Sequence, residues 1–397
     1  MNRIHRPYRL AALASHPIQY QAPLFRALAA RPEIDLEVFF CSRWGTEERR
    51  DPGFGVSFAW DLPLLEGYKY TFLLNLSPVA SPAKFWGLIN PGILRELITG
   101  KFDALWIHGW SLATNLIAWA GGACLGVPRL LRGEANGLKE PRGLKGIIKN
   151  LVLSRLFKQI SGFLAIGTLN TKFYQSYRIP RERIFQVPYS VDNAYFRACA
   201  QKWAGKKGFL RKQKGLPCSL PIILFCGKFR EVKRPLDLLQ AFAMLGDPPP
   251  AALAFVGDGH LREEMERYVR ERNISQVYFL GFRNQSELPE FYSLSDFLVL
   301  PSGFEPWGLV INEAMCFGLP IIASDQVGAA PDLVKDGVNG FVYQTGNVTA
   351  LAASLRQIIQ DEERRRNMGQ ESLKIINHWG VEEAAQGVVN CCLTLYN

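Results

Sequence analysis

The sequence has no C-x-x-C pair, and its eight cysteines are scattered over 397 residues, with only Cys391 and Cys392 adjoining. That spacing argues against a zinc site and against a disulfide framework, so reduced thiols in a cytoplasm are the simplest reading. No long apolar run follows the basic N-terminus, and no secretory signal is read there. Charge is absent from residues 104–128, a length that can span a bilayer. That stretch also carries His108, Ser111, Thr114, Asn115 and paired glycines, so it is read as a buried strand (104–107), a loop and a buried helix. Glycine is absent from residues 13–20, which removes the G-x-G-x-x-G of a nicotinamide oxidoreductase. No D-x-D motif occurs, and no metal ligands are expected. Acidic residues are outnumbered, giving a net charge of +10 and a pI near 9.2. The excess suits polyanionic partners such as nucleotides, phospholipid surfaces or nucleic acid, although nothing resembles a nucleic-acid module.

What is present is enough apolar material, 48%, to build two cores. Short apolar runs at 10–14, 36–41, 104–107, 129–131, 162–166 and 184–187 alternate with helical patterns. A second series starts at Ile222, with runs at 222–226, 253–256, 277–280, 297–300, 321–323 and 341–342. Helices are expected at 235–244, 261–272, 286–294, 310–317 and 349–360. The alternation predicts an α/β chain of two tandem doubly wound, Rossmann-like domains. Residues 197–215 hold seven Lys or Arg and no acid, which reads as an exposed linker. The expected division is 1–188 for the first domain, 189–217 for a basic linker, 218–378 for the second domain, and 379–397 for a terminal segment.

The most specific run is LPSGFEPWGLVINEAMCFGLPIIASDQVG, starting at Leu300. Glu305 falls in the loop after a strand, and Glu313 lies about one and a half turns into the next helix. Both belong to the carboxyl edge of a parallel sheet, where ligands bind. Gly308 allows close backbone approach, and the N–H groups of Gly308, Leu309 and Val310 would face an anion at a helix N-terminus. Lys228 and Lys233 follow the first strand of the second series, beside Gly227. Two ammonium groups there can neutralise a diphosphate leaving group, although K-x4-K by itself also describes a solvated basic loop. The turns at Gly257 and at Phe282-Arg283 are placed to hold a base and a ribose, or simply need glycine.

Residues 220–345 resemble the C-terminal domain of family 4 retaining glycosyltransferases of the GT-B fold. The run from Glu305 to Ser324 is similar to that family's E-x7-E signature almost position by position, and a weaker similarity extends to Tyr396. The resemblance implies an active site in a cleft between the domains. It further implies that 1–188 is the acceptor-side domain, 218–378 the nucleotide-sugar-binding domain and 379–397 a terminal helix returning to the first. It places Glu305 at the donor sugar hydroxyls, Glu313 at the ribose hydroxyls, and Lys228 and Lys233 on the diphosphate. The family usually has arginine where this chain has Lys228. The N-terminal half departs further. The expected Gly-Gly loop is Ser15-His16-Pro17-Ile18-Gln19-Tyr20 here. The histidine that follows a V-P run in many members is replaced by Glu134, with Arg132 close by. His16 and His108 are rival candidates from strand ends. Glu134 is open to three readings: a ligand for a sugar hydroxyl, a nucleophile or charge stabiliser near the anomeric carbon, or one half of an ion pair with Arg132 that only shapes the loop.

The expected function is retaining transfer of a sugar from a nucleotide sugar to a saccharide or lipid-linked saccharide, with no cofactor beyond that co-substrate. A same-fold epimerase or phosphorylase is the alternative. Residues 139–158 carry Lys139, Arg142, Lys145, Lys149, Arg155 and Lys158 against Glu140 alone, interleaved with Leu144, Ile147, Ile148, Leu151, Leu153 and Leu156. This pattern fits a helix on an anionic membrane surface, or one packed on its own domain. The expected location is the cytoplasm, with peripheral contact at the inner face of the membrane.

Overall fold

A computed structural model describes residues 6–51, 53–139 and 143–396, so Glu140 and Arg142 lie outside the described residues. The chain divides into two compact units, one made of residues 1–49, 62–189 and 381–397, the other of 50–61 and 190–380.

Along the first half the strands are β1 (Tyr8–Ala14), β2 (Ile34–Phe40), β3 (Arg49–Arg50), β4 (Ser57–Phe58), β5 (Lys69–Phe72), β6 (Ala104–His108), β7 (Arg129–Arg132), β8 (Gly162–Ala165) and β9 (Ile184–Gln186). In the first unit seven of them form one sheet in the order β5-β2-β1-β6-β7-β8-β9, with every ladder parallel. Apolar layers cover both faces. Leu105 and Ile107 of β6 join one layer while Ala104 and Trp106 join the other, which is why such strands read as continuous apolar runs. Complete burial of one such Leu or Ile contributes about 1.5–3 kcal/mol. The uncharged stretch is the strand β6 followed by a helix, Ala113–Cys124. Among the described residues no helix is long and apolar enough to cross a membrane. The edge strand β5 is not anticipated by the apolar runs, because its residues are exposed or half-buried.

In the second unit the strands are β10 (Ile222–Cys226), β11 (Ala252–Val256), β12 (Val277–Phe279), β13 (Phe297–Leu300), β14 (Ile321–Ser324) and β15 (Gly340–Tyr343). They form a parallel sheet in the order β12-β11-β10-β13-β14-β15. In each sheet the strand order reverses once, between β1 and β6 and between β10 and β13. The carboxyl ends of strands at such a switch point leave a crevice for ligands.

Two expectations are corrected. The basic stretch 197–215 is largely exposed, as expected, but it is not a linker or loop. It folds into the helices Asn193–Trp203 and Lys207–Gln213, the first capped by the Asp192 carboxylate accepting from the Tyr195 N–H at 3.0 Å. Arg211 is 6% exposed, and its guanidinium pairs with Asp296 at 2.5 Å, beside Lys207 at 2.6 Å from the same carboxylate. The acids that pair with Lys207, Arg211 and Lys214, Asp296 and Glu290, therefore lie roughly eighty residues further on, out of sight of local composition. The terminal helix runs from Val381 to Tyr396 and places Ala384, Val388, Cys391 and Cys392 in a core layer of the first unit. Trp379 stays with the second unit, its ring 5.4 Å from that of Trp307.

Candidate functional site

In the second unit, β13 delivers the chain into the loop that carries Glu305. The loop is fixed by its backbone: the Glu305 N–H donates to the Gln326 carbonyl at 3.0 Å, and the Glu305 carbonyl accepts from Gly328 at 3.0 Å. The Glu305 carboxylate accepts from the Lys233 ammonium and from the Ser302 hydroxyl, the latter at 3.3 Å. Lys233 closes a short 3-10 turn, Glu231–Lys233, that follows β10. Sequence reasoning gave these two residues separate duties on sugar and diphosphate; the fold joins them in one ion pair.

Gly308 starts the helix Leu309–Cys316 with φ of 103°, a left-handed conformation. A Cβ there would stand 2.9 Å from Leu300 and 3.1 Å from Val327, so sterics and φ both demand glycine. The first-turn N–H groups of Leu309 and Val310 have no intrahelical acceptor, which suits an anion. Glu313, one and a half turns on, is 6% exposed. Its carboxylate accepts from the Gln285 amide at 2.8 Å and from the Tyr292 hydroxyl. Burial pushes Glu313 up to about 7 and outweighs the downward pull of Tyr292 and Gln285.

Lys228 does not stand free. Its ammonium lies 2.9 and 3.0 Å from the two carboxylate oxygens of Asp51 and 4.7 Å from the centre of the Phe54 ring. Both partners come from the 50–61 excursion, which belongs to the second unit. Burial raises Asp51, but hydrogen bonds from Lys228 and from the N–H groups of Phe54 and Gly53 hold it below its ordinary value. The same excursion sets Phe54 and Phe58 against Phe282, at 4.9 and 4.7 Å between ring centres. Arg283 turns back to the Leu280 carbonyl at 2.8 Å and lies over Phe291. The Gly227 and Gly257 N–H groups donate to the carbonyls of Val256 and Gly281, at 3.0 and 2.9 Å. Those backbone donors tie three strand ends together. A Cβ on Gly257 would meet the Gly227 carbonyl at 1.9 Å. Asp51, Phe54, Phe58, Gln285 and Tyr292 were not foreseen. The aromatic, glycine-bearing run at 53–60 was the available signal.

In the first unit the carboxyl ends of β1, β6 and β7 meet around a cavity of about 330 Å³, which brings together His108, Arg132 and Glu134. The parallel register pairs His108 with Arg132 directly. Among the described residues Glu134 forms no ion pair with Arg132. Its carboxylate accepts from the Tyr189 hydroxyl. Arg132 is 5% exposed, and burial presses its pKa down. His108 is stacked on Trp106 at 4.6 Å and burial lowers it to about 3, so it is neutral at pH 7. His16 does not line this cavity. Its Nδ1 is 2.9 Å from the Ser15 hydroxyl, and burial lowers it to about 4. Among the described residues no group of three or more His, Cys, Asp or Glu gathers to hold a metal ion.

Comparison with known proteins bears on this geometry. N-acetyl-alpha-D-glucosaminyl L-malate synthase of Bacillus anthracis is 36% identical over 164 residues, covering 41% of this chain and 42% of that protein. An uncharacterized glycosyltransferase of Methanocaldococcus jannaschii is 28% identical over 317 residues, 77% of this chain and 80% of that one. The chain spans less than half the length of the curated relatives it matches at 32–36% identity. The structure of Anabaena HepE in complex with UDP superposes with a TM-score of 0.73 at 18% identity, covering 98% of this chain and 100% of that one. That likeness shows the fold, which is GT-B. Residues 206–374 match the family Glycosyl transferases group 1, and with Lys228, Lys233, Glu305 and Glu313 inside that match, the chain carries a glycosyl transferases group 1 domain.

Proposed function

We propose that this chain is a retaining glycosyltransferase of family 4 that moves a sugar from a nucleotide sugar to a hydroxyl acceptor. The observation that carries the reading is the Lys233–Glu305 pair beside the Gly308-capped helix, at the switch point of a glycosyl transferases group 1 domain. As the bond from the anomeric carbon to the diphosphate breaks, negative charge grows on the leaving oxygen. Lys233, Lys228 and the helix N-terminus stabilise it. Glu305 then orients sugar hydroxyls and Glu313 the ribose. Retention follows if the acceptor oxygen attacks from the face the diphosphate leaves, its proton passing to the departing phosphate oxygen. A double displacement through a carboxylate such as Glu134 is the other route. UDP-sugars are the first donors to test, since UDP is what the similar HepE structure binds.

The test is incubation with a panel of nucleotide sugars, with and without saccharide acceptors, read by NMR of the anomeric proton. A product that keeps the donor's anomeric configuration supports the reading. Inverted product overturns retention. Conversion of the nucleotide sugar without acceptor, to an epimer or a sugar phosphate, overturns transfer.

A second feature supports contact with an anionic membrane. On the helix Leu144–Lys158, Leu144, Ile147, Ile148, Leu151 and Val152 recur at helical spacing and are 72, 66, 53, 54 and 55% exposed. Gly146, Leu153 and Phe157 take the buried side. Lys145, Lys149, Arg155 and Lys158 accompany the apolar stripe, with no acid in the helix. An exposed apolar stripe with basic flanks suits the boundary between anionic headgroups and acyl chains. A lipid-linked acceptor fits this reading.

A further inference from the structure

The cavity of the first unit contains a cation, Arg132, with which no carboxylate pairs directly among the described residues. Arg132 is 95% buried by its 5% exposure, and among the described residues its Nε and Nη1 have no hydrogen-bond partner. Its Nη2 donates to the Pro188 carbonyl, at 3.4 Å. The Tyr189 ring, 5.1 Å from the guanidinium carbon, offers a π-face rather than an acceptor. The nearby carboxylate of Glu134 is engaged by the Tyr189 hydroxyl instead. Buried polar groups are nearly always hydrogen-bonded, and a buried cation with two open N–H directions is a strong exception.

Two neighbours repeat the pattern. Gln21 Nε2 lies 3.2 Å from His108 Nδ1. With the amide donating, the imidazole proton sits on Nε2, and that atom is buried without a partner. Gln21 is 7% exposed, and its Oε1 is likewise unpartnered. The residues lining the cavity therefore bring together unpartnered guanidinium and imidazole N–H donors, with Gln21 Oε1 and the exposed Glu134 as acceptors. Charged N–H donors match the oxygens of a carboxylate or phosphate, while the acceptors match hydroxyl groups. Polar groups buried in advance of their ligand also reject an analogue that leaves them unpaired.

We infer that this cavity is a subsite for a small hydroxylated acceptor bearing an oxyanion, with Arg132 and His108 holding the carboxylate or phosphate and Glu134 a hydroxyl. The inference rests on the reading of the chain as a glycosyltransferase only for the word acceptor. The binding of the oxyanion is tested without any donor.

The experiment is calorimetric titration of the whole chain with a neutral hexose, the matching hexuronate, the matching hexose 6-phosphate and inorganic phosphate. The hexose phosphate is offered both free and as the headgroup of a vesicle-borne glycolipid, which separates a soluble acceptor from a lipid-borne one. At least one charged hexose should bind tenfold or more tightly than the neutral one. Arg132→Gln should bring charged and neutral hexoses to within twofold of each other, with Arg132→Lys between. UDP affinity in both variants should stay within twofold of the parent, since UDP reports on the other unit. Removing a cation with no direct anionic partner should also leave the melting temperature of Arg132→Gln unchanged or raised, whereas a purely structural arginine would lower it. Equal binding of charged and neutral hexoses by the parent chain overturns the inference, and so does a charge preference that survives Arg132→Gln. If that variant does not fold, the parent chain and Arg132→Lys still decide the matter.

Discussion

The ammonium of Lys228 is held by both carboxylate oxygens of Asp51, at 2.9 and 3.0 Å. On the proposed function a diphosphate uses the same ammonium, so Asp51 and the donor would compete for it. Asp51→Asn should therefore tighten nucleoside diphosphate binding by about threefold to tenfold, in line with ~1 kcal/mol for a competing hydrogen bond. Lys228→Ala should weaken it. Calorimetry with UDP checks both. If neither variant changes UDP affinity, the pair only fastens the 50–61 excursion.

Glu313 gives a pH signature. Its folded value near 7 stands above its ordinary 4.5, so the folded chain holds that proton more tightly than the unfolded chain does. Its stabilising share is present below about 4.5 and is lost as pH rises through about 7. At pH 8 the buried carboxylate costs on the order of 3 kcal/mol. Glu313→Gln should thus gain stability over the parent progressively from pH 5 to pH 8 in urea unfolding. Stability profiles that run parallel across that window would contradict the assignment.

The helix Leu144–Lys158 predicts salt-sensitive membrane binding. Each basic residue near an anionic surface contributes about 1 kcal/mol. Reversing Lys145, Lys149 and Lys158 to Glu should weaken sedimentation with anionic liposomes by at least about a hundredfold, with nucleotide affinity intact. Unchanged liposome binding sinks the interfacial reading.

Glu134→Gln keeps the shape of its side chain and removes its charge. On a verified donor and acceptor, transfer should fall by at least tenfold while UDP binding holds. Near-normal transfer would return Glu134 to a structural part, as a partner of the Tyr189 hydroxyl.

Strands buried on both faces were legible because parallel sheets make them continuous apolar runs, as in β10 and β13, each buried throughout. The half-exposed edge strand β5 carries no such signal. Glu305, Glu313, Lys228 and Lys233 could be singled out because each lies within a few residues of a strand end or helix start. Their partners were hidden by sequence distance. Asp51 lies 177 residues from Lys228, and Lys233 lies 72 from Glu305. Arg132 could be placed at a strand end, but its missing partners are a property of packing, which no local pattern records.

The donor site is tested most directly by a paired titration of Glu305→Ala and Glu313→Ala, with a nucleotide sugar that the parent chain turns over and with its nucleoside diphosphate. Glu313→Ala should weaken both ligands by about 1.5–3 kcal/mol, as expected for a charged hydrogen bond to the ribose they share. Glu305→Ala should weaken the nucleotide sugar at least tenfold while leaving the nucleoside diphosphate within twofold. Equal losses of nucleoside diphosphate binding in the two variants would contradict the division between sugar and ribose on which the account rests.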